Sequence, residues 1–203
     1  MINLKHVLMT ILAVPLTGAC ATAPPTSAKW EAAFLALSDE HFLETLDSLD
    51  DPLNPSIEIN THAAHRDYQY ALDLKNDQFL RANIFRETGT IVIQAYVVSE
   101  SYDDFLAPTS VSFSHGLMTR NVDRLDFDVN CNSFGACRHI EPMVFQISPD
   151  ELSNTIAAME ASGELVLSFR IQGRKGWDRD GRFHIGEMKA LLGAVQTYKV
   201  ANE

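Results

Sequence analysis

LDFDVNCNSFGACRHIEPMVFQISPDE, residues 125–151, passes from a two-residue to a helical hydrophobic period within one short segment. Leu125, Phe127, Val129 and Cys131 alternate with Asp126, Asp128 and Asn130, the period-two pattern of a half-buried strand with one wet face. Turn-rich Asn132-Ser133-Phe134-Gly135-Ala136 follows, and Cys137 onward reads as the antiparallel return strand, ending near Ile147. At Ser148 the period changes. Ser148 suits a helix N-cap, Pro149 the first helical position and Glu151 the reciprocal position of a capping box. Leu152, Ile156 and Met159 then share one helical face, and Gly163 ends it. A hairpin running into a capped amphipathic helix implies an antiparallel sheet with a helix laid upon it.

The same logic extends both ways. Upstream, residues 79–86 and 90–98 are apolar-alternating runs around the turn Glu87-Thr88-Gly89, and Ile57 with Ile59 and Val111 with Phe113 mark two more strands. Before them lie two short helical patterns. One carries Trp30, Phe34 and Leu37; the other is capped by Ser38, carries Phe42, Leu46 and Leu49, and is stopped by Asp50-Asp51-Pro52. Downstream, Leu165, Leu167, Phe169 and Ile171 alternate in a last strand. A polar turn over 173–181 then leads to a helix with Met188, Leu191, Leu192 and Val195 on its buried side. The expected fold class is α+β, a single domain with a mainly antiparallel sheet packed with helices.

The N-terminus carries an address. Residues 7–16 form an apolar run of about ten residues, a signal-peptide core and too short to span a bilayer. It ends in Thr17-Gly18-Ala19-Cys20-Ala21, which resembles the bacterial lipobox, although Leu16 stands four residues before the cysteine where the family places its leucine three before. The resemblance implies lipidation of Cys20. The alternative is plain secretion, with Ala19 and Ala21 as an A-x-A cleavage site. Expected boundaries are a signal peptide over 1–19, a lipid anchor and Pro-rich linker over 20–28, and a periplasmic domain over 29–203. With Cys20 acylated, Cys131 and Cys137 are the one remaining pair, and a disulfide is expected between them. Ala21, rather than Asp, after the cysteine implies the periplasmic face of the outer membrane in a Gram-negative cell.

Phe79-Leu80-Arg81-Ala82, the Thr88-Gly89 turn, Gln94 with Tyr96, and the cysteine pair followed by Glu141 are together similar to a group of exported bacterial lipoproteins without an assigned activity. The likeness covers roughly residues 57–198 and implies a fold but no chemistry.

Charge narrows the partners. The chain has a formal charge of −11; without residues 1–19 it keeps 15 basic against 27 acidic residues, −12. A domain so acidic repels phosphate backbones, and no nucleic-acid partner is expected. Against that background Arg170, Arg174, Lys175, Arg179 and Arg182, with Trp177 and Phe183, form a basic aromatic cluster. It suits an envelope protein, a glycan or an anionic headgroup, unless Asp178 and Asp180 neutralise it as a solvated turn.

Register suggests a second site. If Cys131 faces Cys137, then Val129 faces His139 and Phe127 faces Glu141, which puts both ionisable groups on the apolar face. Such a pair is costly unless mutually satisfied, and could transfer protons. A bulge or bend before Pro142 would instead turn both outward.

No cofactor or metal is expected. Asp178-Arg179-Asp180-Gly181 with Glu187 has calcium-loop spacing, but Gly176 occupies the first ligand position. His62 and His65, beside Arg66 and Asp67, lack a third ligand and read as surface histidines. No G-x-S-x-G elbow, P-loop or dinucleotide fingerprint occurs, and a disulfide-bonded Cys137 cannot serve as a nucleophile for His139. The leading expectation is a non-catalytic envelope lipoprotein domain that binds another envelope component. The alternatives are a small hydrolase or proton-transfer enzyme centred on His139 and Glu141, and a carrier of an apolar small ligand.

Overall fold

The computed structural model describes residues 27–65, 78–174 and 176–202. The fold is a single α+β domain dominated by antiparallel pairing. Helices α1 (Ser27–Leu35) and α2 (Asp39–Glu44) precede strands β1 (Asp47–Leu49) and β2 (Ser56–Asn60) and a 3₁₀ turn, His62–His65. Strands β3 (Gln78–Phe85), β4 (Ile91–Ser101), β5 (Pro108–Phe113), β6 (Arg120–Asn121), β7 (Asp123–Arg124), β8 (Asp128–Cys131) and β9 (Cys137–Ile147) follow. The chain closes with α3 (Pro149–Ser162), β10 (Val166–Gly173), β11 (Asp178–His184) and α4 (Ile185–Asn202).

Among the described residues one sheet runs β1-β2-β3-β4-β9, with β7 and β8 both on the far side of β9, and a second runs β11-β10-β5-β6. The alternation read from sequence is real in the central strands. Leu80, Ala82 and Ile84 of β3, Ile93, Ala95 and Val97 of β4, and Leu167, Phe169 and Ile171 of β10 are all buried. They share one continuous core with Leu152, Ile156 and Met159 of α3 and with Met188, Leu191, Leu192 and Val195 of α4. The two sheets and the two long helices therefore bury a common interior.

Helix ends follow local chemistry. Ser148 Oγ accepts from the Glu151 N–H at 3.2 Å while Glu151 Oε2 accepts from the Ser148 N–H at 2.9 Å, and Gly163 closes α3 at φ 73°. At α4 the cap is an imidazole: His184 Nδ1 accepts from the Gly186 N–H at 3.1 Å, which puts the proton of the neutral ring on Nε2.

Three expectations are corrected. The second helical pattern stops at Glu44, and Leu46 and Leu49 are not helical: Thr45 caps the helix with its Oγ1 donating to His41 O at 2.7 Å, and Asp47–Leu49 pairs with β2. The polar turn over 173–181 is shorter than expected, because Gln172 pairs with Asp178 and places Arg179 and Arg182 on a strand. The run 125–131 is neither one strand nor half-buried. Arg124 pairs with Met143 and Asp128 with Ile140, so one extra residue sits on the 125–127 side, opposite Glu141 and Pro142. A proline has no N–H to offer a ladder, and the bulge falls there. All four residues of β8 are exposed.

Candidate binding arm

Strand β8 and the turn that joins it to β9 form an exposed arm at the edge of the first sheet, while β9 itself pairs with β4 from His139 to Ile147. Val129 pairs with His139, as expected from register, and the bridge between Cys131 and Cys137 closes the tip with Cα atoms 3.9 Å apart. Within the loop Asn132 Oδ1 accepts from the N–H groups of Phe134 at 3.0 Å and Ala136 at 3.1 Å, and Gly135 takes φ 81°, where a Cβ would be strained. Bridge, Asn turn and glycine fix the loop, and Phe134 at its apex is 94% exposed. Val129 and Phe127, both exposed, extend an apolar strip down the arm, and exposed Leu125 lies at the bulge beyond them. Phe105 links that strip to the return strand, with ring centroids 5.5 Å from Phe127 and 4.8 Å from His139.

Glu141 has a different role from the one register suggested. It faces Ser99 of β4 rather than Phe127, and its side chain is buried. Its carboxylate accepts from the Leu106 N–H, from the Ala107 N–H at 3.1 Å and from Arg124 Nη1 at 3.3 Å. Ala107 holds φ 51°, a left-handed conformation costly for a residue with a Cβ. Glu141 thus latches the crossing from β4 in one sheet to β5 in the other. No hydrogen bond joins it to His139, whose Nδ1 is sealed from solvent without a hydrogen-bond partner.

The basic cluster is largely neutralised from within. Arg170 forks onto Asp180 at 2.6 and 3.1 Å, and this contact holds the Asp180 carboxyl below its ordinary range. Arg182 pairs with Glu31 and lies 4.6 Å over the Phe34 ring. Arg179 is half-buried, and desolvation brings its guanidinium down to about 10. Trp177 packs against the core. Among the described members of the cluster, Arg174 extends an exposed side chain that enters none of these pairs. Phe183 is buried.

Lys175, Arg66, Asp67 and Cys20 with the whole N-terminal address lie outside the described residues. The His62 ring lies tilted against Phe79 with centroids 4.8 Å apart, and among the described residues no three His, Cys, Asp or Glu side chains converge as a metal site.

A cleft of about 430 Å³ opens elsewhere, between the end of α1, the start of α2 and the facing ends of α3 and α4. Leu35, Leu37, Met159, Leu165 and Ile185 form its apolar walls. At its mouth Lys189 bridges Glu160 at 2.7 Å and Asp39 at 3.4 Å, which raises the ammonium above its ordinary range. Neither His139 nor Glu141 lines it.

Phe134 was not among the residues singled out from the sequence, and it is the most exposed large apolar side chain among the described residues. The available signal was an aromatic side chain inside a cysteine-closed turn, where nothing can bury it. No protein-family model matches this chain, and no curated protein or solved structure matches it either.

Proposed function

We propose that this chain is a lipid-tethered cell-envelope protein, held at the periplasmic face of the outer membrane through Cys20, whose folded domain performs no chemistry and binds another envelope component. The observation that carries the binding reading is the arm. A rigid, bridged loop presents Phe134 at 94% exposure above an apolar strip, on a domain whose other large apolar groups mostly line a shared core. An aromatic held on a fixed turn loses little entropy on docking, and such residues dominate binding energies. The arm takes the place of the 174–182 segment as the docking element, because Arg170 and Arg182 already have carboxylate partners.

A photo-crosslinking residue at position 134 in growing cells tests this, with position 53 as control, since Leu53 is equally exposed at 91% on a different turn. A discrete adduct at 134 and none at 53 is expected. Equal labelling at both positions removes the reading.

The carrier reading keeps one observation in its favour. The helix-end cleft exceeds the ~300 Å³ that a small-molecule site needs. A native mass spectrum with a co-purifying apolar ligand, lost on Met159→Trp, is its test.

A further inference from the structure

The outer edge of the arm has a chemistry that specifies what can lie against it. Among the described strands β8 pairs only with β9, so its other edge is open. Phe127 and Val129 add to the apolar strip, while Asp128 points to the opposite face. The Asp126 and Asp128 carboxylates each accept from the next N–H in the chain, of Phe127 and of Val129, at 2.8 Å. The Val129 N–H therefore looks away from β9. The arm's own cations are already committed, Arg124 to Glu141 and Arg138 to Glu100, and among the described residues no ion pair reaches Asp123, Asp126 or Asp128.

We propose that this edge receives an extended segment of a partner protein in which apolar residues alternate with lysine or arginine, added as a new strand beside Asp128–Cys131. The inference rests on the arm being the docking element. Three features carry it together. The open backbone edge supplies main-chain hydrogen bonds, as in other strand additions. The apolar strip gives every second residue of the incoming segment a surface to cover. Asp126 and Asp128, on release from their own N–H groups, meet the alternate cations, and the N–H groups they uncover become donors to the new strand. Three unpaired aspartates likewise repel an anionic partner.

The probe is a labelled Val-Lys-Val-Lys-Val-Lys-Val peptide titrated against the full-length protein, with the Val-Glu analogue as control and amide exchange followed in the same samples. The lysine peptide should bind, slow exchange at Val129, and lose about tenfold in affinity in the Asp126→Lys, Asp128→Lys protein. Both substitutions are at exposed positions, so the fold is retained. No binding, equal binding of the glutamate peptide, or binding without protection at Val129 overturns the proposal. So does capture by phosphatidylcholine vesicles that depends on Phe134 while the peptide is ignored. The crosslink at position 134 is an independent readout: an adduct there without peptide binding ends strand addition but leaves the arm as the docking element.

Discussion

At the scale of single residues, a few polar groups hold positions that apolar packing alone does not explain. Glu141 gives the clearest prediction. Glu141→Gln keeps the shape but turns an amide NH₂ toward groups that are themselves donors, so part of the Leu106 and Ala107 hydrogen bonding is lost inside the protein. A loss of about 2 kcal/mol in a urea melt is expected, and an unchanged midpoint would mean that the latch does not hold the sheets' crossing. Glu151 predicts a pH effect. Its hydrogen bond from Arg120, followed by that from the Ser148 backbone, brings its carboxyl from 4.5 to about 2. A folded-state pKa below the unfolded one gives stability that is complete above pH 4.5 and is lost as pH falls from there towards 2. The side chain is 39% exposed, so solvent screening leaves about 1 kcal/mol of this. Arg120→Met should flatten that segment of the pH–stability curve, measured by denaturant melts at pH 5 and pH 2.5. Gly181 pairs with Phe169, whose ring covers it so closely that an added Cβ would come 2.1 Å from the ring. Gly181→Ala should cost about 1–3 kcal/mol by overpacking, read as a lowered Tm.

At the scale of elements, the arm is the part most separable from the core. Its bridge closes a loop of six-residue separation, worth about 2 kcal/mol through the unfolded chain. Because β8 buries none of its residues, reduction should loosen the arm locally rather than unfold the protein. Amide exchange should accelerate over residues 128–137 in Cys131→Ser, Cys137→Ser while β3 and β4 keep their protection; loss of protection throughout would contradict this. What the sequence revealed at this scale was whatever local chemistry determines. The Ser148–Glu151 box, the Gly89 turn and the buried alternation of β3, β4 and β10 each depend on neighbours a few residues away. Counting back from Cys131 opposite Cys137 also gave the pairing of Val129 with His139. That count failed at Phe127, because Pro142 on the other strand introduces a bulge that periodicity in 125–131 cannot register. Strand β1 was hidden for a related reason: its three residues are exposed and owe their conformation to the edge of β2, not to their own pattern. The internal pairing of the basic cluster was not legible, because charge pairing is a property of register. Arg170 lies directly across from Asp180 only once β10 and β11 are aligned.

At the scale of the whole molecule, the balance is between a folded domain that buries its own core and a chain that, on the proposed reading, works at a membrane surface. No described helix is long and apolar enough to cross a bilayer; on the proposed reading attachment is through Cys20. The physics of that attachment is steep. Each buried methylene contributes about 0.8 kcal/mol, so one acyl chain binds reversibly while a diacylated cysteine holds firmly. The strong negative charge works against attachment by the protein surface itself, since an acidic domain is repelled by anionic headgroups. Anchoring and folding should therefore separate cleanly. Cys20→Ser is expected to move the protein from the detergent phase to the aqueous phase in a Triton X-114 partition. The melting of the domain and the bridge between Cys131 and Cys137 should not change. Intact mass on the same samples should show the wild-type chain beginning at Cys20 and carrying acyl groups. A wild-type chain that begins at Ala21 or beyond and partitions into water would mean plain secretion, and the arm would then have to find its partner without a membrane to concentrate it.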